Sequence, residues 1–218
     1  MVLTLYGSPV STCTKRKGVP FKFAPIDFAK GEHKAPEYLE KQPFGQVPYL
    51  DDDGHILYES RAIARYIAEK YADQGTPLIP KDLKAKSLFE QAASVEQSNF
   101  DVFAAPAVFE NLFKPHMGLT PNKERFDELI GRLEPKLDVY DKILSKQKYL
   151  AGDELTLADL FHIPYAVLLS ASGSNAVETR PNVARQVHTI CCQPPGGSSL
   201  SPTDPSWQTV KDGLSSTA

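Results

Sequence analysis

The sequence predicts a chain in two parts, an α/β segment over residues 1–72 and an all-helical segment over residues 81–218, joined by a linker at 73–80. Short runs crowd the first third: Val2–Tyr6, Phe21–Ile26, Tyr49–Leu50 and Ile56–Tyr58. They have the length and apolar content of strands. Beyond the linker the period changes. Phe126, Leu129, Ile130, Leu133, Leu137, Tyr140 and Leu144 recur at three or four, an amphipathic helical stripe. Between the two patterns, Ala72–Pro80 holds Gly75, Pro77 and Pro80, the punctuation of a domain boundary.

Composition narrows the function classes. A chain of 218 residues can bury a substantial core. Its hydrophobic fraction of 41% and charged fraction of 23% are those of a soluble globular protein. A net charge of −3 gives no electrostatic case for nucleic acid or an anionic membrane. No apolar run reaches bilayer-spanning length, and the N-terminus has no signal-peptide pattern. Three cysteines, an odd number, make no disulfide framework and point to a reducing cytoplasm. The five histidines show no metal-ligand spacing, so no metal is expected.

Taken in order, Val2–Tyr6 reads as a strand feeding the turn Gly7-Ser8-Pro9. Ser11 to Arg16 should start a helix, where a hydroxyl can cap the helix or donate to an anion above its N-terminus. Cys13 lies two residues on and does not share a helical face with Ser11. Lys17-Gly18-Val19-Pro20 then reads as a helix end, and Phe21–Ile26 as a strand parallel to the first. Residues 7–20 supply fourteen positions for that crossover, close to the minimum of about a dozen. Further on, Pro43–Pro48 is a loop. A cis Val47-Pro48 bond would turn the N–H and C=O of Val47 outward, as a strand edge does, for an extended peptide to pair with. Tyr49-Leu50 and Ile56–Tyr58 flank an acidic turn closed by Gly54, a hairpin signal. Ser60 precedes Ile63, Tyr66 and Ile67 and can cap their helix, whose N-terminus suits a carboxylate. The loop, hairpin and helix start together read as a site for a small peptide carrying carboxylates.

In the second part, Pro135 should kink or split the helix that carries the apolar stripe. Thr156-Leu157-Ala158-Asp159 is a capping box with Asp in place of Glu, a folding device. Phe100, Phe103, Phe109 and Phe113 form an aromatic-rich region in which core packing weighs at least as much as a pocket role. His116 and His162 read as ordinary residues of helices. From about residue 186 an irregular tail is expected, with Cys191-Cys192 exposed and Pro194–Ser199 a Pro/Gly/Ser-rich loop.

Gln46-Val47-Pro48 followed by Glu59-Ser60-Arg61-Ala62-Ile63 resembles the glutathione-binding core of the glutathione S-transferases. Pro43 to Pro48, with Gly31-Glu32-His33-Lys34 upstream, resembles their phi class of plants and fungi, and the similarity runs from Met1 to about Val183. The resemblance implies a thioredoxin-like α/β N-terminal domain plus an all-α C-terminal domain. It implies a cytoplasmic homodimer that uses glutathione as co-substrate and detoxifies small hydrophobic electrophiles, with reduction of organic hydroperoxides as a second activity. It places Ser11 at the glutathione sulfur, and His33 and Lys34 at the glycine carboxylate. Val47, followed by Pro48, pairs with the peptide backbone, and Gln46, Glu59 and Ser60 hold the γ-glutamyl end. Val10, Thr12, Phe28, Phe113 and Met117 would border the hydrophobic substrate.

Two departures stand out. Family members carry about two more apolar helical turns between the positions of Arg16 and Lys17, and their last helix runs on where this chain turns to Pro194–Ser199 before Pro205-Ser206-Trp207. Other readings stay open: a non-catalytic carrier of glutathione or hydrophobic ligands, an interaction scaffold, a thiol transferase working through Cys13, or a poorly folded splice variant.

Overall fold

The computed structural model describes residues 3–7, 18–28 and 30–192. Val10, Ser11, Thr12 and Cys13 lie outside the described residues, as does the Pro/Gly/Ser-rich run. Two compact units divide the chain, residues 1–77 and 78–218.

Four strands build the sheet of the first unit: β1 Leu3–Gly7, β2 Phe21–Pro25, β3 Tyr49–Asp52 and β4 His55–Tyr58, in the order β2-β1-β3-β4. As the sequence predicts, β1 and β2 run parallel, with Leu3 beside Phe21 and Leu5 beside Phe23. β3 is antiparallel to both β1 and β4. Alternation along β1 sends Leu3 and Leu5 to one face, where they meet Ile63 and Ile67 of the helix at Ser60–Lys70. The β3–β4 turn has positive φ at both Asp53 (58°) and Gly54 (87°), the backbone that a two-residue hairpin needs. Asp51 Oδ1 accepts from the Gly54 N–H at 2.8 Å and closes it.

The helices of this unit are α1 Pro36–Leu39, preceded by a single 3₁₀ turn at Glu32–Lys34, and α2 Ser60–Lys70. Asp52 ties the hairpin to α2. Its buried carboxylate accepts from Lys70 Nζ and Tyr66 Oη, one helical turn apart. The Lys70 bond, then the Tyr66 bond, holds the Asp52 carboxyl below the usual carboxylate range. A carboxyl lowered in the folded state adds stability above its unfolded value of about 3.9, and that stability is lost as pH falls through the lower folded value. Asp52→Asn should therefore cost about 1–2 kcal/mol near neutral pH. The gap to wild type should close in melts taken progressively to acid. A gap independent of pH would show that the charge plays no part.

The named elements of the second unit are all helical among its described residues: α3 Leu83–Glu96, α4 Val102–Val108, α5 Lys114–His116, α6 Lys123–Leu144, α7 Leu157–Ala171 and α8 Pro181–Cys192. Two π-helical stretches, Gln97–Asp101 and Phe109–Phe113, lie either side of α4. The wider turn resets the helical phase: Phe100 is fully buried, while Phe109 stays 39% exposed. The stripe read from the sequence is the core face of α6, with Leu133 and Leu137 in the same buried cluster as Leu169 and Val177. Among the described residues no helix is long and apolar enough to cross a membrane.

Two expectations are corrected. Pro135 does not split its helix: α6 runs unbroken for 22 residues. The proline removes the bond to the carbonyl of residue i−4, here Gly131, while Leu133 and Leu137 on either side of it stay buried. Arg180 lies alongside, its Nη2 donating to the Glu134 carbonyl and its Nε to Asp138. The irregular tail expected from about residue 186 is likewise helical as far as Cys192. Val183 and Ile190 are buried and Val187 packs partly against the core, so the apolar spacing of α8 continues past the predicted boundary. Cys191 is half-buried.

Candidate functional site

The loop before β3 is held by side chains from the segment just upstream. Left-handed Gly31 (φ 70°) turns the chain into the 3₁₀ turn, and Pro36 starts α1 at a position where its missing N–H costs nothing. From the 3₁₀ turn, Lys34 Nζ donates to the carbonyls of Gly45 (2.8 Å) and Phe44 (3.3 Å). From α1, Tyr38 Oη donates to the Gln46 carbonyl at 2.6 Å. Buried Gln42 accepts twice, at Oε1 from the Phe44 N–H (2.8 Å) and at its carbonyl from the Gly45 N–H (2.9 Å). Three successive carbonyls and two N–H groups of the loop thus have internal partners.

Val47 breaks the series. Its backbone makes no hydrogen bond to another described residue, and its bond to Pro48 is cis, the isomer on which the peptide-pairing expectation rested. Pro48 lies over the end of β1, so close that a side chain on Gly7 would sit 3.1 Å from its Cβ. Beneath the loop, Tyr49 stacks on Tyr6 (4.4 Å, 10°) and meets Tyr38 edge-on (5.1 Å). Burial pushes the Tyr38 and Tyr49 hydroxyls up to about 12, so both stay protonated donors at neutral pH.

At the far end of the hairpin, Glu59 adopts φ 70°, ψ 112°, a backbone that non-glycine residues seldom take and that clusters at functional sites. This corrects the expected cap. Ser60 is the first helical residue, and Glu59 occupies the cap position because its positive φ makes the turn into α2. The Glu59 side chain makes no capping hydrogen bond, and the start of a helix, with its N–H groups and positive dipole end, suits an anionic ligand. Both Glu59 and Ser60 are exposed. A free strand edge at Val47, a helix start and an exposed carboxylate at Glu59 suit an extended peptide with both an amino group and a carboxylate at one end.

The remaining site candidates are placed as follows. His33 packs against Phe28 at 4.9 Å, and its Nδ1 is buried with no hydrogen-bond partner among the described residues. The ammonium of Lys34 engages the loop carbonyls instead of standing free in solvent. Phe28 is 49% exposed at the edge of the first unit. In the helical unit, Phe113 packs partly against the core and Met117 is 61% exposed. Among the described residues no group of three or more His, Cys, Asp or Glu could hold a metal ion. Sequence reasoning missed Tyr38, Gln42 and Tyr49 as supports of the loop. A hydroxyl-bearing aromatic within a short helix just upstream was the one available signal.

Comparison with known proteins agrees with this architecture. Residues 1–69 match the family model of the glutathione S-transferase N-terminal domain, and residues 100–194 match that of the C-terminal domain. Glutathione S-transferase PM239X14 of Arabidopsis thaliana is 46% identical over 194 residues, 84% of this chain and 88% of the relative. The solved glutathione transferase F7 of Populus trichocarpa superposes with a TM-score of 0.85 at 36% identity, covering 98% of this chain and 99% of its own. Glutathione S-transferase I from maize, solved in complex with an atrazine glutathione conjugate, superposes with a TM-score of 0.81 at 31% identity over the whole of both chains. With both family domains matched and relatives this similar along most of its length, the chain belongs to the glutathione S-transferase family, in its phi-class-like branch.

Proposed function

We propose that this protein is a glutathione transferase that joins the thiolate of glutathione to small hydrophobic electrophiles. The observation that carries the reading is the internally braced loop, which leaves the Val47 backbone free next to the strained start of α2. In this mechanism Val47 pairs with the backbone of the cysteine residue of glutathione. Gln46, Glu59 and Ser60 hold the γ-glutamyl end, with the Glu59 carboxylate facing its ammonium and the α2 N-terminus its carboxylate. His33 and Lys34 take the glycine carboxylate, for which Lys34 exchanges its bonds to the loop. Ser11 donates a hydrogen bond to the sulfur, favours the thiolate and so lowers the barrier to attack. A new S–C bond forms as the leaving group departs with its electron pair. Val10, Thr12 and Phe28 of the first unit border the apolar electrophile. The atrazine conjugate held by the maize relative is a product of this kind.

The same thiolate can reduce an organic hydroperoxide. Sulfur attacks the peroxide O–O bond to release an alcohol, and a second glutathione then resolves the sulfenic acid to disulfide and water. We also infer a cytoplasmic homodimer. Three cysteines without a disulfide framework fit a reducing compartment, and exposed Leu88, Val102 and Val139 of the second unit offer apolar surface that a second copy would cover.

The test is a thermal melt followed by circular dichroism, with and without millimolar glutathione, and then kinetics on Ser11→Ala. A cooperative melt that rises with glutathione is expected, because a ligand of the native state stabilises it by mass action. Ser11→Ala should lower kcat by about 10²–10³-fold, the cost of one donor to a developing anion. Conjugation untouched in Ser11→Ala but lost in Cys13→Ser would replace this mechanism with thiol transfer. A clean melt indifferent to glutathione would leave a scaffold.

A further inference from the structure

We propose that Tyr38 is a positioning residue for glutathione, its hydroxyl setting the orientation in which Val47 meets the tripeptide backbone. The inference rests on the reading of this loop as the glutathione site. Tyr38 Oη donates to the Gln46 carbonyl at 2.6 Å, the shortest of the bonds that brace the loop. That carbonyl belongs to the same peptide plane as the Val47 N–H. A peptide unit is rigid and, being trans here, points its C=O and N–H in opposite directions. Anchoring the oxygen on Tyr38 therefore aims the Val47 N–H away from α1, the direction in which it has no partner among the described residues.

Tyr38 itself has little freedom. Its side chain is only 7% exposed, and its ring is wedged edge-on against Tyr49, which stacks in turn on Tyr6 of β1. The hydroxyl is thus tied to the sheet through two aromatic contacts, and the loop is tied to the hydroxyl. Lys34 and Gln42 brace Phe44 and Gly45, but among the described residues only Tyr38 reaches the peptide unit that carries the Val47 donor. Lys34 is also the brace that the glycine carboxylate would draw away. When it leaves, Tyr38 remains as the side chain holding the loop at its working end.

Tyr38→Phe tests this, since it keeps the ring and its contacts and deletes one oxygen. The Kd and KM for glutathione should rise about three- to tenfold, the net worth of one hydrogen bond. At saturating glutathione kcat should stay within about twofold, and the KM of the electrophile should not move. The melting temperature without glutathione should change little, while the upward shift that glutathione produces should shrink. A wild-type shift matched in full by Tyr38→Phe would overturn the role of Tyr38 alone, and so would a variant whose kcat falls as far as its KM rises. No glutathione-dependent shift in the wild-type chain would overturn the site assignment beneath it.

Discussion

Asp159→Ala is expected to abolish the cooperative melt of the helical unit. The Asp159 carboxylate is fully buried and accepts four hydrogen bonds. The Thr156 N–H (2.9 Å) and Thr156 hydroxyl (3.0 Å) reach Oδ2, while the Leu150 N–H (2.8 Å) and Gln186 Nε2 (2.7 Å) reach Oδ1. Alanine would leave these donors unsatisfied in a site closed to water, each at about 1–3 kcal/mol. Even with incomplete additivity the loss is about 4–8 kcal/mol, against a total stability of about 5–15 kcal/mol for a typical domain. Asp159→Asn should be milder, because its oxygen can keep two of the donors while its NH₂ opposes the rest. Circular dichroism melts of both variants decide the matter. An Asp159→Ala protein that melts cooperatively within a few degrees of wild type would show that the carboxylate does not hold the unit together.

Gly45→Ala should weaken glutathione binding more than any other one-carbon change in the loop. Gly45 has φ 59°, a left-handed conformation, and an added Cβ would lie 2.6 Å from Lys34 Nζ, 2.8 Å from Lys34 Cδ and 2.9 Å from the His33 carbonyl oxygen. The lysine end could swing aside, but only by breaking its bonds to the Phe44 and Gly45 carbonyls. His33 offers no such escape, since its contact is with backbone. Left-handed strain adds about 1–2 kcal/mol, and the displaced brace brings the total to about 2–4 kcal/mol. A rise of at least tenfold in the KM for glutathione is expected, with a lowered melting temperature. Titration calorimetry that returns an unchanged Kd would show that the path of the loop does not govern binding.

Much of the architecture was legible because it is written in local patterns. The strand runs, the change of period after the linker and the hairpin closed by Gly54 each rest on a few adjacent residues. What escaped depends on groups that meet through the path of a loop or through packing. Nothing in the spacing of Lys34, Tyr38 and Gln42 says that they converge on residues 44–46. Pro135 was read by its intrinsic tendency, which the buried leucines of α6 override. At α8 the Pro/Gly/Ser run drew the predicted boundary too early, although Val183, Val187 and Ile190 already carried the helical period. Glu59 shows the opposite case: no sequence rule favours a glutamate at positive φ, and the strain is visible only in the backbone.

The bond from Gln186 to Asp159 has a consequence for the order in which the protein is made. α7 begins at Leu157, and nearly every residue of its first two turns is buried. Its capping carboxylate nevertheless waits for a donor on α8, the last described helix, 27 residues further along the chain. During synthesis, which proceeds from the N-terminus at about 5–20 residues per second, α7 therefore follows α3 and α4, against which it packs, but with its cap one bond short. The helical unit closes only when α8 arrives. A chain ending before Gln186 would keep the packing of α7 on α3 and α4 but leave one oxygen of the buried Asp159 carboxylate a donor short.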